Sequence, residues 1–144
     1  MIMDQQQVVL DVTKWINEFV TKPNKLLQNL PPCPYARQAM LEDKVKIVVP
    51  TEGSVSFAIK EQIINFDHEL DLVMLVFDPD TVDADMFEQI VWKWNSTVDS
   101  QFVLLDDHPH NEENVNGVIM NHGKYAIVFI QKLDKLNEAS DYLK

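Results

Sequence analysis

The segment "LDLVMLVFDP", Leu70 to Pro79, constrains the chain more than any other, because its middle is an unbroken apolar run, "LVMLVF". A strand with one wet face alternates apolar and polar residues, whereas a continuous run of this kind has to be covered on both faces. The run is far short of the ~20 residues that span a bilayer. It predicts a central strand, and the rest of the chain has to supply the layers around it.

The flanking segments alternate in type. From Val8 to Val20, Val8, Val12, Trp15 and Phe19 recur at helical spacing with Val9, Ile16 and Val20 beside them, which predicts an amphipathic helix that Pro23 ends. "VKIVVP", Val45 to Pro50, is short and β-branched and predicts a strand. "SVSFAIKEQIINF" predicts a helix capped by Ser54 or Ser56, with Ile59, Ile63 and Phe66 on one stripe. After the central strand, "DPDTVDADMFEQIVWKWNS" predicts a third helix, capped by Thr81 or Asp83 and carrying Phe87, Ile90, Val91 and Trp94 inward. "FVLLDD", Phe102 to Asp107, and "YAIVFIQ", Tyr125 to Gln131, predict two more strands, and "DKLNEASDYLK" a closing helix capped by Asp134.

The resulting order, α-β-α-β-α-β-β-α, predicts one α/β (α+β) domain over residues 1–144: a mixed four-stranded sheet with helices packed on it in two or three layers. Alternation predicts parallel pairing among the first three strands, while the last two, joined without a helix, are free to pair antiparallel. Ferredoxin-like and thioredoxin-like layering both fit this order; the Cys-x-x-Cys of the latter is absent.

Charge narrows the partners. The net charge is −11, and between Asp67 and Glu113 Lys93 is the only Lys or Arg. Nucleic acid binding needs clustered cations, so DNA and RNA are excluded as partners. An acidic surface serves solubility first, with a homodimer as a further option. The single cysteine rules out an internal disulfide, and "MIMDQQQ" has neither the basic start nor the apolar run of a secretion signal, so a reducing cytoplasm is the expected location.

Two segments carry candidate chemistry. In "PPCPYARQAM", a helix beginning at Pro34 would place Cys33 at its N-cap, facing free backbone N–H groups, with Arg37 one turn on. A thiolate there would have a lowered pKa, and Arg37 and Tyr35 would hold a small anionic molecule. The alternative is a buried, inert Cys33, a packed Tyr35 and an Arg37 paired with a surface acid.

The second segment, "DDHPHNEEN", follows a strand, where α/β proteins commonly bind ligands. His108 and His110 are two residues apart, so extended backbone would point both rings to one side with Asp106. His108 is then a candidate general base and His110 a substrate contact. A divalent metal on Asp106, His108, His110 and His122 is the other option, although solvated histidines are the usual outcome in an acidic loop. The 17 residues from His108 to Lys124 exceed an ordinary connection, and Gly117, Gly123 and an apolar "VIM" fit a lid. No phosphate-binding glycine loop, Gly-x-Ser-x-Gly elbow or paired cysteines are present. Asp78, Asp80, Asp83 and Asp85 lack the glycine of a calcium loop and read as caps.

The helix with Trp15, Cys33-Pro34-Tyr35-Ala36, the "LVFDP" strand and His108-Pro109 together resemble an uncharacterised bacterial family with a tryptophan helix, a Cys-Pro-Phe-Ala motif and a later His-Pro. The resemblance spans Val8 to Gln131 and implies functional roles for Cys33, Arg37 and His108. It carries no reaction. The chain departs from that family at "FIQKL", where Gln131 and Lys132 stand in place of an arginine.

Two functions remain open on this reading. One is a small enzyme or anionic-ligand domain whose site joins the Cys33–Arg37 turn to the His108–His110 loop. The other is a non-catalytic interaction or homodimerising protein with an acidic surface. The first requires Cys33 and His108 to meet.

Overall fold

The computed structural model describes residues 3–97 and 101–132. Helix α1 (Gln5–Trp15) starts where the Asp4 carboxylate accepts from the Gln6 and Gln7 amides, and it continues as a π-helical turn, Ile16–Val20. Its buried residues, Val8, Val12, Ile16 and Val20, repeat every four positions. On an ideal helix such a stripe would drift by about 40° per step, since each residue turns the helix by roughly 100°. The wider last turn, closed by Thr21 N–H donating to Ile16 O at 3.0 Å, holds Val20 on the buried side. Helix α2 (Pro34–Leu41) follows, then β1 (Val45–Val48).

Helix α3 (Val55–Ile64) is capped by Ser54, whose Oγ accepts from the Phe57 amide. Strand β2 (Leu72–Phe77) is buried at all six positions, as its apolar run requires. Helix α4 (Ala84–Thr97) is capped by Asp83, which accepts from the Met86 amide. Strand β3 (Phe102–Asp107) comes next, then a hairpin of β4 (Asn114–Val115) and β5 (Val118–Ile119), then β6 (Ala126–Lys132). The expected order therefore stands through β6, with α2 and the hairpin added. The predicted closing helix lies outside the described residues.

The main sheet runs β1-β2-β6-β3. β1 and β2 are parallel, and β6 is antiparallel to both of its neighbours, β2 and β3. The expected side-by-side pairing of all three early strands is corrected here: β3 points the same way as β1 and β2, but β6 is inserted between it and β2. Alternation along β2 and β6 divides the core. Val73, Leu75, Phe77, Ala126, Val128 and Ile130 pack with α3 and α4, while Leu72, Met74, Val76 and Ile127 pack with α1, the π turn and α2. Helices thus cover both faces, in three layers. Among the described residues no helix is long and apolar enough to cross a membrane.

Candidate functional site

Cys33 sits where its sequence predicts. It is the N-cap of α2, Pro34 follows it, and its Sγ accepts from the Ala36 amide at 3.4 Å. Its own N–H donates to Val20 O, tying this turn to the end of the π turn. The electrostatic outcome is the reverse of the expectation. Removal of the sulfur from water pushes the thiol up, and the N–H groups of Ala36 and Tyr35 offset this only in part. Tyr35 is buried, and its hydroxyl donates to Asp71 O, so it anchors α2 to the start of β2. Arg37 is exposed and forms no ion pair among the described residues.

His108 is also fixed in place. It is 1% exposed, lies edge-on to Phe87 of α4, and bonds Val82 O through Nε2 at 2.8 Å. Its Nδ1 accepts from the His110 amide at 3.1 Å, which leaves Nε2 as the protonated nitrogen. With both ring nitrogens engaged by backbone, His108 has no lone pair for a substrate proton or a metal. His110 is exposed beside it.

The sheet separates these two segments. Cys33 packs with the α1–α2 layer, whereas His108 packs against α4. The expected joint site of Cys33, Arg37 and His108 does not form. The metal set is divided in the same way. Asp106 faces the α4 side, where burial and the carboxylates of Glu88 and Glu113 raise its pKa, while His122 lies edge-on to Trp15 of α1 with centroids 5.0 Å apart. Among the described residues no three His, Cys, Asp or Glu side chains come together to hold a metal ion.

Asp107, one position on, faces the α1 side and closes the long loop. Its carboxylate accepts from Asn121 Nδ2 at 3.2 Å and from the His122 amide at 3.3 Å. The same Asn121 amide donates to His108 O and Asn111 O, so one side chain gathers both ends of the excursion. Burial drives the Asp107 pKa up to about 7 against the help of these donors. Nearby, Asp11 of α1 accepts from Tyr125, Gln7 and Lys124, the last at 3.1 Å, and these bonds lower its pKa to about 2. Burial lowers the His122 pKa. The loop expected as a lid is instead a stapled segment bearing a tight hairpin.

A further feature lies at the carboxyl end of β1, beside Leu75 of β2, on the side of the sheet where open α/β folds commonly bind ligands. A cleft of about 400 Å³ opens there between the start of α1 and α3. Val48, Val49 and Pro50 line its apolar part above the buried Leu75 and Ala58, Phe57 contributes a half-exposed ring, and Gln5, Thr51, Glu52, Glu61 and Gln62 supply polar groups; among the described residues no Lys, Arg or His lines it. Sequence reasoning missed this cleft by treating "PTEGS" only as the end of a strand. The signal was present, since the turn after the first strand of a β-α-β unit is where such sites form. No family model matches the chain, and neither a curated protein nor a solved structure matches it.

Proposed function

We propose that the chain is a non-catalytic binding domain with an acidic surface. The observation that carries this reading is the placement of Cys33 and His108 in opposite layers, each already held by backbone groups. A nucleophile needs a thiolate and a base within reach, and here the thiol is raised and the imidazole is occupied. Exposed apolar side chains give the surface something to bind with: Leu26, Leu30, Val115 and Ile119 are exposed on two segments that meet where Gly117 lies against Leu26. A second copy of the chain is one occupant of such a surface.

Thiol labelling of the native protein tests the proposal. Cys33 should resist a water-soluble disulfide reagent at neutral pH and react at once after unfolding in urea. Fast, stoichiometric labelling of the folded chain at mildly acidic pH would instead mark a thiolate and overturn it.

A further inference from the structure

Three features of the cleft at the carboxyl end of β1 point to the same ligand chemistry. The first is its wall, where the partly exposed Val48, Val49 and Pro50 leave apolar surface open above the buried Leu75 and Ala58, so an apolar stem has surface to cover. The second is the Phe57 ring. It is 48% exposed although it belongs to a helix with buried neighbours. The turn holds the ring, because Gly53 has φ +82° and a Cβ there would lie 2.6 Å from Phe57 Cδ1. A side chain at this position would push the ring aside and strain a left-handed backbone, which glycine avoids. The third is charge: among the described residues Glu52 and Glu61 are the charged groups of the lining, and the whole chain carries −11. An aromatic face and carboxylates beside an apolar wall, with no competing cation among the described residues, favour a positive head group on a hydrocarbon stem.

We infer that this cleft binds a small organic cation, an alkylammonium whose stem lies on Val48, Val49 and Pro50 and whose head group meets the Phe57 ring and the carboxylates of Glu52 and Glu61. The inference rests on the binding-domain reading and names its ligand class. The occupant is a protonated primary amine; the acidic lining repels a carboxylate or a phosphate.

The test is a titration with n-pentylammonium, followed by amide chemical shifts, with n-pentanol as the neutral probe and sodium chloride at matched ionic strength as the screening control. The amine should shift Gly53, Phe57 and Glu61 in one saturable isotherm and bind about tenfold more tightly than the alcohol, a difference of about 1.4 kcal/mol. Glu52→Gln with Glu61→Gln should weaken the amine by about threefold or more and barely move the alcohol, and Phe57→Leu should weaken the amine by about threefold more than it weakens the alcohol, in line with the modest worth of exposed cation–π and ionic contacts. Equal binding of amine and alcohol, shifts scattered over the acidic surface, or indifference to these substitutions would each overturn the inference. None of these outcomes changes Cys33 protection, so the ligand assignment can fail while the binding-domain reading stands, and the reverse.

Discussion

At Asp107 a carboxylate is kept where water cannot easily reach it, and the consequence is a pH dependence of a definite sign. Its folded pKa of about 7 lies above the ordinary carboxylate value, so between the two the folded chain keeps a proton that the unfolded chain releases. The stabilisation this gives is fully present below about pH 4 and is lost as the pH rises to about 7, with an upper size of about 4 kcal/mol. Asp107→Asn should flatten that slope: measured by urea unfolding at about pH 5 and about pH 8, the variant should lose less stability between the two than the parent does. An unchanged slope would place the titration elsewhere. Such effects are the part that a sequence hides best. The N-cap geometry of Cys33 is local and could be read from Pro34 and its neighbours, but the sign of its pKa shift depends on the layer packed over the sulfur. The spacing of His108 and His110 resembles a ligand pair until Val82, 26 residues away, is seen to occupy Nε2.

The elements themselves were legible because their signals are local: an apolar run for β2, helical spacing of apolar residues for α1, and Ser54 and Asp83 as caps, although the buried stripe of α1 runs through Ile16 and Val20 and leaves Trp15 and Phe19 partly exposed. The hairpin inside the long loop was legible in principle and was passed over. "VNGV" is a two-residue hairpin signal, and Asn116 and Gly117 have φ 54° and 90°, both positive as such a turn demands. Gly117→Val should therefore cost about 1–3 kcal/mol in that hairpin alone. Hydrogen exchange at the Met120 amide, which donates to Glu113 O, should accelerate, while the midpoint of global urea unfolding stays in place. A large drop in the global midpoint would mean that the hairpin is part of the main cooperative unit.

For the molecule as a whole, the excess of 23 acidic over 12 basic residues is met by only two ion pairs among the described residues. Self-repulsion should then limit stability, and raising sodium chloride from about 10 mM to about 150 mM, which shortens the screening length from ~30 to ~8 Å, should raise the melting temperature. A fall would mean that attractive pairs dominate. Strand order is the global property that the sequence did not disclose, because the placement of β6 between β2 and β3 is decided by pairings across long separations. This insertion also has a consequence for how the protein is made. Phe77 precedes Ala126 by 49 positions. At a synthesis rate of ~5–20 residues per second, a ribosome has to work for roughly 2–10 s after finishing β2 before the partner for its open edge exists. During that interval the nascent chain presents an apolar strand with unpaired N–H and C=O groups, the kind of surface on which chains aggregate or chaperones bind. The strand that ends up most deeply enclosed is thus the one whose exposure during translation a cell has to manage.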